Sequence, residues 1–112
     1  MYVLKDSKLL RTQNYINGVW ISGDDQKIAV TNPSNSEVIA KVANAKVSDA
    51  VLAVEAAAIA FSSWSRLPAK ERAILLRRWY ELILENADDL GALMTMEQGK
   101  PLNEAISEVK YG

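Results

Sequence analysis

The two residue types that carry the most versatile side-chain chemistry are missing: the chain has neither cysteine nor histidine in 112 residues. Without cysteine there is no disulfide framework and no thiolate nucleophile, and nothing argues for an oxidising compartment. Without histidine the Ser–His–Asp and Cys–His systems are excluded, and so are zinc sites of the usual nitrogen–sulfur type. Glycine is scarce. Gly18, Gly23, Gly91, Gly99 and Gly112 cannot spell G-x-G-x-x-G, so no dinucleotide phosphate loop of that kind lies in the chain. Gly99-Lys100 has the form of a phosphate-loop ending, but Gly91 is too far upstream and Pro101 stands where Ser or Thr is required. Long apolar runs are absent as well. Met1 to Arg11 holds no apolar core for a signal peptide, and the richest stretch, Ala50 to Phe61, contains Glu55 and is too short to span a bilayer. Neither sign of charge dominates: 13 Lys and Arg face 14 Asp and Glu, a net charge of -1, which gives no general attraction to nucleic acid or anionic lipid. These absences predict a soluble, cytoplasmic protein with no nucleic-acid or membrane partner.

What is present is ordinary for a globular protein, with 49 % hydrophobic and 24 % charged residues. The length suits one small domain, 1–112, with short strands over 1–46 and helices over 47–112. Tyr15-Ile16-Asn17-Gly18-Val19-Trp20-Ile21 is a hairpin signal, because Asn-Gly tolerates the positive φ of a type I′ turn. Ser22 to Asp25 is the next turn. Ile28 and Val30 alternate with polar residues, Asn32-Pro33-Ser34-Asn35 interrupts that strand, and Val38 to Val42 restarts it, which predicts a meander of short strands.

After Lys46 the apolar period lengthens to that of a helix. Ser48 is the expected N-cap, with Asp49 in the first turn and Val51, Val54, Ala58 and Phe61 along one face. The run Ala56-Ala57-Ala58 suits a helix that another backbone approaches closely, and Ser62 to Ser65 is read as a break. Pro68 opens a second helix with the stripe Leu75, Trp79, Leu82 and Ile83. Asn86 is the expected cap of a third, on which Leu90, Leu93, Met94 and Glu97 share a face. Gly99 and Pro101 stop it, and Leu102, Ala105, Ile106 and Val109 pattern a fourth. Asp88-Asp89 reads as helix N-terminal charge rather than an acid–base pair. Arg66, Lys70, Arg72, Arg77 and Arg78 read as a solvated face interleaved with Glu71 and Glu81. Trp20, Trp64 and Trp79 read as packing residues, and Met94 and Met96 as core filler.

Five segments in order carry a resemblance that spacing alone does not supply. They are Tyr15 to Trp20, Thr31-Asn32-Pro33-Ser34-Asn35-Ser36-Glu37-Val38-Ile39-Ala40, Asp49 to Phe61 with Trp64, Leu67-Pro68-Ala69-Lys70-Glu71-Arg72, and Glu97-Gln98-Gly99-Lys100-Pro101-Leu102. In this order and at these gaps the sequence resembles the opening of aldehyde dehydrogenases over Tyr15 to Tyr111. Within that family it is most similar to succinate-semialdehyde dehydrogenases, with glutarate-semialdehyde enzymes close by. The resemblance implies an α/β parent fold with a Rossmann-type cofactor domain. This chain would supply its amino-terminal segment, a hairpin or meander followed by four helices.

The resemblance also implies NAD(P)-dependent oxidation of a semialdehyde to the carboxylate, through a cysteine thiolate and a glutamate base. No such cysteine is present. The expectation is therefore a front portion that is not catalytically competent by itself, with no catalytic and no cofactor-binding residue, ending at Gly112 inside its fourth helical pattern. One site of the family falls within the chain. The resemblance carries a monovalent cation, Na⁺ or K⁺, onto the backbone oxygens of Val30 and Thr31 and the side chain of Glu97, with Glu where other members have Asp. Glu108 and Val109 correspond loosely to the region flanking the substrate tunnel. Helical stripes left uncovered predict a homo-oligomer. The alternative reading is a non-catalytic helical module for self-association or interaction, derived from the same family.

Overall fold

The computed structural model describes residues 2–112; Met1, the first residue of the segment screened for a signal peptide, lies outside the described residues. A 3-10 turn, Ser7–Leu9, precedes β1 (Asn14–Ile16), β2 (Val19–Ile21), β3 (Ile28–Thr31) and β4 (Val38–Val42). Four helices follow: α1 (Val47–Trp64), α2 (Ala69–Glu85), α3 (Ala87–Gln98) and α4 (Leu102–Tyr111).

The Asn-Gly hairpin forms as its turn chemistry dictates. Asn17 and Gly18 have φ of 49° and 80°, and Tyr15 pairs with Trp20 across the strands. The two rings lie 5.0 Å apart, and the Arg11 guanidinium covers Trp20 at 4.6 Å. The expected meander does not form. β1 and β2 make one antiparallel sheet, and β3 and β4 make another. The Ser22–Asp25 stretch does not fold β3 back onto β2. Instead Gly23 bridges Asn44, Asp24 donates its N–H to the Asn44 carbonyl at 2.7 Å, and Ala43 donates to Thr12 at 2.7 Å.

The helix boundaries also move. α1 begins at Val47, not after Ser48, because the Asp49 carboxylate accepts the Lys46 N–H at 2.8 Å from the third helical position. It runs on through the expected break, since the Ser62 and Ser63 hydroxyls donate to the carbonyls of Ile59 and Ala60 at 2.9 and 3.1 Å. The resulting 18-residue helix has a mean hydropathy of 1.3, long and apolar enough to cross a membrane by length and composition, although it carries Asp49 and Glu55. Asn86 does not cap α3 with its side chain. Its amide donates back to Leu82 at 2.8 Å and closes α2 instead.

The faces differ from their predicted stripes. On α1 the half-buried positions include Asp49, Ala53 and Ala56, whereas Val51, Val54 and Phe61 are exposed. Ala53, Ala56, Ala57 and Ala60 lie beside Tyr15, Ile16 and Asn17 of the hairpin, with Leu52 and Ile59 flanking them, so the face toward the hairpin is not the predicted Val51–Val54–Phe61 stripe. On α2, Leu75, Trp79 and Leu82 are exposed, and Trp79 is 64 % exposed, so it is not a packing residue among the described contacts. On α3 the buried apolar face is Ala87, Gly91, Ala92 and Met96, while Leu90, Leu93 and Met94 are only half-buried and Glu97 is exposed.

Among the described residues the closely packed helix pair is α3 against α4. A Cβ added at Gly91 would stand 2.5 Å from Ile106 Cγ1 and 3.1 Å from the Ile106 backbone nitrogen, so only glycine permits this approach. Ala105 is fully buried, and Leu102, Ile106 and Val109 lie half-buried along the expected α4 stripe. The remainder is open. The surface is 8364 Å² for 12.4 kDa, against about 6,100 Å² for a compact monomer of that mass. The radius of gyration is 16.6 Å, against about 13 Å for a compact domain of this length.

Candidate functional site

The turn between β3 and β4 meets the turn between α3 and α4, and each is rigid for a local reason. Asn32 builds the first. Its side-chain oxygen accepts the Ser34 N–H at 2.9 Å, its carbonyl accepts Ser36 N–H at 2.8 Å, and its own N–H donates to Glu37 at 2.9 Å. Gly99 builds the second, with φ of 79° and its N–H donating to Thr95 at 2.9 Å, a left-handed helix end that favours glycine. Pro33 closes the gap between them: a Cβ on Gly99 would come within 3.0 Å of the proline Cγ.

Beside this contact lies an open cleft of about 350 Å³, lined by Tyr2, Asn32, Ser34, Thr95, Met96 and Gly99. The Thr95 hydroxyl is buried without a hydrogen-bond partner among the described residues. Sequence reasoning did not find Thr95, because nothing local distinguishes a threonine in a helix whose hydroxyl goes unpaired.

The three residues expected to hold a cation lie on the two elements that meet here, but none of them lines the cleft. Val30 is half-buried and Thr31 exposed, and the β3–β4 ladder slips between them. Glu97 is exposed in the last turn of α3 and makes no ion pair or hydrogen bond among the described residues. Lys100, next to Gly99, is paired with the exposed Glu108 of α4. Among the described residues no group of three acidic side chains converges as a metal-ligand set.

A second carboxylate does more than its sequence position suggests. Asp89 was expected only to complement the α3 dipole. It is 6 % exposed, and its two oxygens accept the N–H groups of Lys5 at 3.0 Å and Asp6 at 2.8 Å. The Asp6 bond, and then the Lys5 bond, hold its carboxyl below the usual carboxylate range. Asp88 beside it faces solvent and pairs with the Lys5 ammonium at 3.0 Å; that hydrogen bond and charge raise the lysine above its usual range. The basic residues of α2 are interleaved with acids as expected, Arg77 meeting Glu81 at 3.2 Å and Arg78 meeting Glu85 at 3.6 Å.

These parts define a class of architecture: one hairpin set beside α1, and a second whose turn meets the end of the close-packed α3–α4 pair. The particular family follows from comparison. Residues 20–112 match the aldehyde dehydrogenase family, and the chain belongs to it. It is 52 % identical over 109 residues to a glutarate-semialdehyde dehydrogenase of Pseudomonas putida, covering 96 % of this chain and 23 % of that one. It is 45 % identical over 109 residues to the succinate-semialdehyde dehydrogenase [NADP(+)] of Escherichia coli, covering 96 % of this chain and 23 % of that one. Among solved structures, the aldehyde dehydrogenase of Brucella melitensis biovar abortus 2308 superposes with a TM-score of 0.95 at 48 % identity, over 99 % of this chain and 23 % of that one. The chain thus spans under a quarter of the length of the relatives it matches. Its two small sheets and four helices correspond to part of the aldehyde dehydrogenase fold.

Proposed function

We propose that these 112 residues serve within a cytoplasmic NAD(P)-dependent dehydrogenase that oxidises a short semialdehyde, succinate or glutarate semialdehyde, to the carboxylate. The observation that carries this reading is identity near one half to semialdehyde enzymes over 96 % of the chain. The residues do not fit the dinucleotide: no glycine-rich loop is present, so no step is assigned to these residues through it. Their part is to hold a scaffold together. The test is an assay of the natural full-length protein with both semialdehydes and both nicotinamide cofactors. No turnover with either semialdehyde overturns the proposal. The 112-residue chain alone is expected to be inactive, since a thioester-forming reaction has no cysteine to start from. Cell fractionation checks the compartment.

The cation belongs to the same proposal. Backbone oxygens of Val30 and Thr31 at the ladder slip, with the free Glu97 carboxylate, are hard donors that suit Na⁺ or K⁺. The ion would tie the end of β3 to the end of α3. Anomalous scattering after thallium exchange is expected to show a peak beside Glu97, and an empty map there overturns the assignment.

A second reading has its own observation. Val54, Ile59, Phe61, Leu75 and Trp79 are all more than half exposed. We propose that this surface is covered by association, as in a homo-oligomer or, in the alternative, a non-catalytic assembly module. Sedimentation of the 112-residue chain as a monomer at high concentration counts against it.

A further inference from the structure

The first residues of the chain lie along α3, and a single carboxylate seats them. Asp89 gives one oxygen to the Lys5 N–H and the other to the Asp6 N–H, partners 84 and 83 residues away. Asp6 in turn caps the 3-10 turn by accepting the Lys8 N–H at 2.9 Å. Lys5, Asp6, Glu85, Asn86 and Asp88 are the other residues around this carboxylate, so the end of α2 and the start of α3 both face it. At the opposite end of α3, Tyr2 lines the cleft with Thr95, Met96 and Gly99. The segment therefore runs the length of the helix, fastened at its start and walling a cavity near its finish.

We infer that Tyr2–Asp6 is a strap latched to α3 by the Asp89 carboxylate, and that the latch seats Tyr2 as a movable wall of the cleft between the Asn32 and Gly99 turns. The chemistry of the latch is specific. A carboxylate is acceptor-only and can serve two successive N–H groups, whereas an amide or a protonated acid turns a donor toward one of them. The Lys5–Asp88 pair is solvent-exposed at both ends and contributes little to the seat. Because hydrogen bonding to the charged form holds the Asp89 carboxyl low, the latch stays shut through mild acid and opens only in strong acid.

The test is hydrogen exchange on the natural full-length protein, comparing wild type, Asp89→Asn and Asp88→Asn. Asp89→Asn is expected to speed exchange at the Lys5 and Asp6 amides by roughly tenfold or more. The amides of Ala92, Met96 and Ala105 keep their protection. Asp88→Asn is expected to change strap exchange by less than about threefold. Peroxide oxidation reads the wall: Met96, 5 % exposed in the cleft, should oxidise severalfold faster in Asp89→Asn, with Met94 as internal reference. Unchanged strap exchange in Asp89→Asn, or equal effects in both variants, overturns the latch. Unchanged Met96 oxidation overturns the wall. If Asp89→Asn also loses protection in α3, acidifying the wild type decides: the strap amides must deprotect at a higher pH than those of α3, and simultaneous loss overturns the inference.

Discussion

α3 and α4 bury small residues against each other; α1 and α2 leave large ones uncovered. In the first pair Ala87, Ala92, Met96 and Ala105 are buried, and Gly91 lets the backbones approach. In the second pair no residue is buried, and Val54 and Ile59 are 70 % and 75 % exposed. Both pairs are apolar enough to form a core. The difference lies in which faces find a neighbour within the chain: α3 and α4 find each other, whereas α1 meets the first hairpin along one side and leaves its remaining faces open. Glycine and alanine close a helix pair from within, because backbone meets backbone.

That contrast can be broken most strongly at Gly91. Gly91→Val places branched carbons where Ile106 already stands, and is expected to cost about 3 kcal/mol or more, enough to separate α3 from α4. Denaturant unfolding of the full-length protein measures it, and a loss under about 1 kcal/mol would show that the approach is not sterically fixed. Gly99→Ala is expected to cost about 1–2 kcal/mol, since it adds a Cβ at a φ of 79° and presses on Pro33. Its particular signature is faster exchange at Ser34 and Ser36 as the Asn32 turn loosens.

Acid gives a smaller, local effect. Asp89 is held below its ordinary value of 3.8, so its contribution is fully present above that value and is lost as pH falls through its lower folded value. The Lys5–Asp88 pair has the opposite sense: it is intact below 10.5 and fades as pH rises through the raised lysine value. The protection of the strap amides, taken relative to their intrinsic base-catalysed rates, should therefore fall at the acid end and change little in alkali. The smallest change in stability is expected on the open pair. Trp79→Lys should alter unfolding of the 112-residue chain by no more than about 0.5 kcal/mol, yet reduce its self-association in sedimentation. A large stability loss there would mean that α2 is already covered and would erase the distinction between the two pairs.

Much of the backbone was legible because its causes are local. Asn17-Gly18 demanded its turn, Gly99-Pro101 ended α3 and restarted α4, and the α4 stripe faces the core as its period requires. The failures share one form. Residue type points to Ser48 and Asn86 as caps, but the Lys46 N–H donates to Asp49, and the Asn86 amide turns back to Leu82. Periodicity points Val51, Val54 and Phe61 of α1 inward, but the hairpin meets the neighbouring face of Leu52, Ala53, Ala56 and Ile59. Periodicity marks a face as apolar without saying which neighbour arrives.

The candidate site divides the same way. Val30, Thr31 and Glu97 remain a proposal resting on family resemblance, outside the cleft lining, whereas Pro33 and Gly99 are in contact as two turns that each follow from local chemistry. Thr95 and the role of Asp89 were not reachable, because one is defined by the absence of a partner and the other by partners at the far end of the chain.

By itself the sequence determined which elements form, where the left-handed turns fall, and that no thiol or imidazole chemistry resides here, since these depend on residue type and near neighbours. Only the tertiary structure decided which face of each helix is covered, where the β3–β4 turn rests, and what Asp89 holds, because contacts between distant residues are settled by shape and distance in space.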